Sequence, residues 1–218
     1  MKLLLTSGGI TNKSIAKALF ELVGKKPEDT TLAFIPTAAN IEAGDKDWLI
    51  DDLISLKNLN LKSIDIVDIS AIPKELWKPR LESANVLFFE GGDEFYLMEW
   101  INKSGLINFL PDLLKTRVYV GLSAGSMVTS KDLALEIYKI VYEEEAVEKE
   151  NLAGLGFVDF YITPHFNSPW YPKKTEENLR KLLQGFRHKT YALDDQSALK
   201  VVDGKVEIIS EGKYLEFN

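Results

Sequence analysis

The stretch Arg117-Val118-Tyr119-Val120-Gly121-Leu122-Ser123-Ala124-Gly125-Ser126 decides how the chain is read. Four residues with the character of a buried strand run into Gly-x-Ser-x-Gly, and Ala124 to Thr129 is compatible with a short helix. A strand, a tight turn carrying a serine, then a helix is the arrangement of a nucleophile elbow. The turn lifts the hydroxyl clear of the sheet, and flanking glycines avoid side chains that would clash there. The Ala124 N–H then falls at a helix N-terminus, where unpaired donors and the helix dipole favour developing negative charge. The bare pattern arises by chance in roughly one chain of this size in fifteen. The strand before it and the helix after it add weight. The competing reading is a plain βα turn in which Ser123 only caps a helix.

Upstream, the same alternation repeats. Lys2 to Thr6, Thr31 to Ile35, Ser63 to Ile69 and Asn85 to Phe89 read as short, continuously apolar strands. Between them, helices are expected from Asn12 to about Val23 and from Asp45 to Leu56, the latter with Trp48, Leu49, Leu53 and Leu56 inward. A further helix starts near Pro73 and should end or kink at Pro79. Glu94 to Asn102 and part of Leu106 to Lys115 complete the set. Alternating apolar strands and helices indicate a parallel sheet covered on both faces. Ligands of such sheets bind beyond the carboxyl ends of the strands. Ser7-Gly8-Gly9, Gly91-Gly92-Asp93 and the elbow all sit there. The first of these lacks a full Gly-x-Gly-x-x-Gly and a Walker lysine, which argues against a nucleotide.

Downstream, the acidic run in Ile140 to Asn151 reads as a solvated face. Val158 to Thr163 is expected as a strand ending in Pro164-His165-Phe166-Asn167, and Thr175 as the cap of a helix to about Gln184. The tail alternates short strands: Thr190 to Leu193, Ala198 to Val202, Val206 to Ser210 and Lys213 to Phe217, with Asp203-Gly204 as a hairpin turn. No repeat or linker divides the chain, so residues 1–218 read as one domain.

Composition narrows the function. Net charge is −7 with no basic block, which disfavours nucleic acid. There is no cysteine, so disulfides, thiolate nucleophiles and zinc–thiolate sites are excluded. No apolar run reaches the ~20 residues of a membrane span, and the N-terminal run is too short for a signal peptide. The expected location is the cytoplasm, with no membrane, metal or cofactor.

A neutral serine needs a base, and histidine is the usual one. The chain has 2 histidines. His188 lies in the polar connection Phe186-Arg187-His188-Lys189, whereas His165 follows a strand. If that strand joins the same sheet, His165 emerges on the same edge as Ser123, which makes it the preferred base. A carboxylate should orient its other ring nitrogen. Asp159, six residues earlier on an extended strand, lies roughly 20 Å away. Asp132 and Glu136 follow the elbow helix and can fold back. The residues leave those two open, with Glu136 preferred. The oxyanion needs two N–H donors, one from Ala124 and one from the Gly91-Gly92-Asp93 turn.

Gly91-Gly92-Asp93-x-x-x-Leu97, Gly121 to Ser126 and Thr163-Pro164-His165-Phe166-Asn167 resemble the three signature blocks of the peptidase E (aspartyl dipeptidase) family, serine peptidases that include cyanophycinase. Asp194-Asp195-Gln196-Ser197-Ala198-Leu199 and the hairpin after it also fit, and the resemblance covers nearly the whole chain. It implies a three-layer flavodoxin-like α/β fold of the class I glutamine amidotransferase type, mostly parallel, with a C-terminal β-hairpin region. It implies an enzyme that hydrolyses dipeptides with N-terminal aspartate. By resemblance Ser123 is the nucleophile, His165 the base, and Gly92 and Ala124 the oxyanion donors. The family's acid lies about fifteen residues after the serine, where this chain has Tyr138, with Glu136 two residues away. The cation for an acidic side chain is not evident. Arg80, Arg180 and Arg187 are adjacent to no block, and Arg117 begins the serine strand at its far end. A lysine, a more distant arginine or the second subunit of a homodimer is left to supply it. An amidohydrolase acting on another small substrate, or a binding protein that kept the elbow as a turn, are the alternatives.

Overall fold

In a computed structural model, which describes residues 1–133 and 153–217, the apolar runs form strands because their side chains fill two layers at once. From β1 (Lys2–Thr6), Leu3 and Leu5 enter one layer and Leu4 the other. β2 (Thr31–Ile35) divides Ala33 and Ile35 from Leu32 and Phe34 in the same way. β4 (Val86–Phe89) divides Leu87 and Phe89 from Val86 and Phe88. Burying each of the leucine, isoleucine, valine and phenylalanine side chains among them contributes roughly 1.5–3 kcal/mol. A strand buried on both faces has no polar side to show, hence the unbroken apolar sequence.

β3 (Ser63–Ile66), β2, β4, β5 (Val118–Leu122) and β1 lie side by side and parallel, in that order. β8 (Ser197–Val202) then pairs antiparallel with β1, and β9 (Lys205–Ser210) antiparallel with β8. The β8–β9 turn is Asp203-Gly204, both at positive φ, 49° and 80°, as a type I′ hairpin requires. This mostly parallel α/β sheet is the expected fold class, and the hairpin extends the sheet rather than standing apart from it.

One helix layer holds α1 (Lys13–Val23), capped by Asn12 Oδ1 accepting from the Ile15 N–H at 2.9 Å, and α2 (Asp47–Lys57). The other holds α3 (Lys74–Ser83) and α4 (Glu94–Lys103), capped by Asp93. α5 (Leu110–Leu113) and α6 (Ala124–Met127) are single turns. Two expectations are corrected. α3 does not end at Pro79 but runs through it to Ser83, held by buried Trp77 and Leu81 on either side of the proline. Trp48 is exposed, and α2 instead turns Leu56 into the core and half-buries Asp52.

A second sheet orders β10 (Tyr214–Phe217), β7 (Thr190–Leu193) and β6 (Tyr161–Thr163), with β6 parallel to β7. Here the expectation of one common sheet fails: β6 pairs with β7, not with the main sheet. α7 (Glu176–Leu182) is capped by Thr175 and packs Leu179 against Tyr161 and Phe166. Registers fix what meets at the carboxyl edge. Thr6 is level with Leu122 and with Ala198, and Phe89 with Gly121. Ser7, Glu90, Ser123 and the residues just before β8 therefore emerge together.

Candidate active site

The elbow is locked by backbone. Ser123 stands at φ 46°, ψ −108°, a conformation that costs an ordinary residue about 1–3 kcal/mol. Its N–H donates to Thr6 O at 3.1 Å, and its carbonyl accepts from the N–H groups of Ser126 and Met127. A methyl group at Gly125 would meet Phe89 O at 2.2 Å, so the turn can press against β4 only with glycine there. Buried Ser126 Oγ donates between Thr6 O and Gly121 O, both at 2.8 Å, tying β1 to β5 under the turn.

His165 arrives from the second sheet. It too has positive φ, 61°, and its N–H donates to Ser7 Oγ at 2.7 Å. Its Nε2 is 3.0 Å from Ser123 Oγ. Its Nδ1 is 2.7 Å from Asp195 Oδ1, and Ser7 Oγ donates to that same oxygen at 2.8 Å. Ser7 at the end of β1 thus holds both the backbone of the histidine and the carboxylate behind it. The Tyr171 ring stacks on the imidazole, centroids 4.9 Å apart and 12° from parallel. Beyond Tyr171, the Lys174 ammonium lies 4.3 Å from that ring's centroid and donates to Pro164 O at 2.9 Å.

Electrostatics follow from burial and these contacts. Burial raises Asp195, but hydrogen bonds from His165 and Ser7 and the charges of His165 and Lys174 outweigh it and hold the carboxyl below its ordinary value. Lys174 is 1% exposed, and burial pulls it down to about 7 against the opposing charges of Glu94 and Asp195. Tyr171 is raised by burial first and then by Glu42, Asp195 and Glu94. Tyr171 therefore lies under the influence of three carboxyl groups, with the Lys174 ammonium against its ring. Among the described residues no three acidic or imidazole side chains converge as a metal site.

Of the residues singled out in the sequence, Ser123 and His165 are brought together, and Ala124 begins the helix that follows the serine. Gly92, at φ +127°, is pressed so closely against Ala38 that a methyl group would lie 2.3 Å from its carbonyl oxygen. Among the described residues neither the Gly92 nor the Ala124 N–H has an acceptor. His188 is exposed, edge-on to Tyr161 and Phe186. Asp132 accepts from Tyr161 Oη at 2.9 Å, away from the imidazole, and Asp159 is exposed. Glu136 lies outside the described residues, and the carboxylate on His165 Nδ1 is Asp195. A search confined to residues between serine and histidine misses Asp195. The signal for it is topological. β6 and β7 are parallel neighbours, Thr163 level with Ala192, so the residues after each, His165 and Asp195, emerge side by side.

The model of peptidase family S51 matches residues 3–209. The chain belongs to peptidase family S51. This S51 member is a serine peptidase, and it has relatives of the same kind. It is 25% identical over 184 residues to an uncharacterized peptidase of Listeria innocua, covering 81% of this chain and 82% of that one. It is 30% identical over 112 residues to peptidase E of Streptomyces coelicolor, 48% and 44% of the two chains. Its fold is similar to the crystal structure of a candidate peptidase E from Listeria monocytogenes, with TM-score 0.78 at 24% identity over 97% and 98% of the chains. A peptidase from an acI-B1 actinobacterium shares the fold at TM-score 0.67 and 21% identity, over 99% and 93% of the chains. Among the described residues no helix of this S51 chain is long and apolar enough to cross a membrane.

Proposed function

We propose that this S51 peptidase cleaves short peptides bearing a free N-terminus, by an acyl-enzyme mechanism on Ser123. The observation that carries this reading is the unbroken line Ser123 Oγ to His165 Nε2, 3.0 Å, and His165 Nδ1 to Asp195, 2.7 Å. His165 takes the serine proton as Oγ attacks the peptide carbonyl, then hands it to the leaving amine. Asp195, rather than Glu136, fixes the tautomer and stabilises the imidazolium. Gly92 and Ala124 donate their N–H groups to the oxyanion. Water then attacks the ester by the same steps in reverse roles. The acidic groups around Tyr171 suit a substrate α-ammonium. The preference for N-terminal aspartate rests on the resemblance to the aspartyl dipeptidases. Its expected setting is the cytoplasm.

Two experiments test it. A fluorophosphonate probe followed by peptide mass mapping should label Ser123, with Ser123→Ala unlabelled; label elsewhere, or none, overturns the nucleophile. Dipeptides differing only in the first residue, Asp, Asn, Glu and Leu, should then compete in the order of their acidity. Equal cleavage of Leu and Asp would remove the aspartyl preference while leaving the mechanism. Labelling with no dipeptide cleaved would move the activity to another small acyl substrate.

A further inference from the structure

Beneath the Gly91-Gly92 turn lies a pair of carboxyl groups that the proposed mechanism does not use. Glu90 follows β4 directly and is 0% exposed. Its backbone N–H donates to Ile35 O at 3.1 Å. Its Oε1 accepts from the Gly91 N–H at 2.9 Å. Its Oε2 is buried and meets no donor, and the carboxyl that its side chain meets is that of Asp52, on the half-buried side of α2. Two ionised carboxylates have no proton to share, so this contact becomes a hydrogen bond only when one of them is protonated. Leaving both charged and buried together is the costly alternative.

The balance of influences pushes both acids the same way. Burial and the charge of Asp52 raise Glu90 well above an ordinary carboxyl, against the single Gly91 N–H. Burial, Asp51 and Asp195 raise Asp52, against the hydrogen bond with Glu90. Among the described residues, no lysine, arginine or histidine offsets either acid. The pair also touches the reacting residue's surroundings. A methyl group at Gly91 would lie 3.4 Å from Ser123 Cβ, and one at Gly9 would lie 3.6 Å from Asp52 Oδ1.

We propose that Asp52 and Glu90 hold one proton between them and through it position the Gly91-Gly92 turn, so that its N–H groups stay set beside Ser123. The catalytic consequence rests on the reading of Ser123 and Gly92 given above. While the proton is shared, the pair carries one negative charge and Glu90 keeps its grip on Gly91. When it leaves, two negative charges repel next to the place where the oxyanion must form, and the donor turn shifts or loses its electrostatic advantage. Asp52 and Glu90 are therefore positioning residues. A carboxamide on either one copies the singly protonated pair, because its NH₂ supplies the missing donor and the net charge stays the same.

The test follows the Gly91 amide resonance against pH in the whole chain, alongside kcat/KM on one dipeptide. In the wild type the Gly91 signal should shift between neutral and alkaline pH, with kcat/KM falling over the same range. Glu90→Ala should lose activity at every pH. Glu90→Gln and Asp52→Asn should recover it, with a stationary Gly91 signal and only the alkaline fall that the substrate's own amine imposes on every variant. A Gly91 signal that never titrates, or carboxamide variants that keep the wild-type alkaline limb, overturns the proposal. If Gly91 titrates as expected but the phosphonate never labels Ser123, the pair stands and the hydrolase reading at Ser123 falls.

Discussion

Ser123 and His165, the proposed nucleophile and base, are held in opposite ways. Ser123 sits where backbone packs on backbone: Gly125 against the Phe89 carbonyl, its own N–H on Thr6 O, and Ser126 stitching β1 to β5 beneath it. His165 sits where side chains meet: Ser7 Oγ on its N–H, Asp195 on its ring, Tyr171 against its face. Disturbing the first region strains the core, whereas trimming the second leaves the core intact and misaligns a ring. Damage to the elbow should therefore register in stability, and damage to the histidine's cradle in rate.

The sharpest way to break this contrast uses two elbow variants. Ser123→Ala should abolish hydrolysis while thermal unfolding stays close to wild type. Gly125→Ala should abolish it too, with a large loss of Tm or no soluble protein, since a methyl 2.2 Å from a carbonyl cannot be housed. Equal Tm values in both would remove the distinction. Next in size, Asp195→Asn should lower kcat about 10⁴-fold, as loss of the orienting carboxylate does in serine proteases, with Tm little changed. Asp132→Asn should alter kcat little, because its partner is Tyr161. If those two results are exchanged, the acid has been misassigned. Ser7→Ala removes one hydroxyl that bridges base and acid. It should cost about tenfold in kcat/KM, the worth of one to two hydrogen bonds, with a normal melting curve.

The smallest effect concerns pH and stability. The Asp52–Glu90 pair binds its proton more tightly folded than unfolded. Its contribution is therefore fully present below the ordinary carboxyl range and declines as pH rises toward the folded values. Asp195 has the opposite sign: lowered in the fold, it stabilises above its unfolded value and loses that as acid protonates it. Glu90→Gln should flatten this decline, which starts at the ordinary carboxyl range and runs upward, in urea-derived stability, while leaving the loss that Asp195 causes in stronger acid. An unchanged decline would mean the pair is not linked to folding.

Features decided within a few residues were legible in the sequence. β1 and β2 fall where their apolar runs do, Asn12 and Asp93 cap the helices they precede, and Asp203-Gly204 turns the hairpin. Ser123 was legible because a strained turn needs its glycines close by in sequence. What escaped depends on distant packing. Trp48 could not be told from Leu56 on an even amphipathic pattern, and Pro79 is carried by the packing of Trp77 and Leu81. Strand β6 looked like a member of the main sheet because three residues carry no mark of their partner. Asp195 escaped for the same reason, its place beside His165 being set by the pairing of β6 with β7.

One earlier feature bears on when this peptidase can act. β1 is made first, yet it lies between β5 and β8, in register with residues as late as Val202. Ser7 waits for Asp195 in the same way. A chain still emerging from the ribosome holds Ser123 long before it holds Asp195 and β8. The proposed catalytic line is thus withheld by the order of synthesis itself.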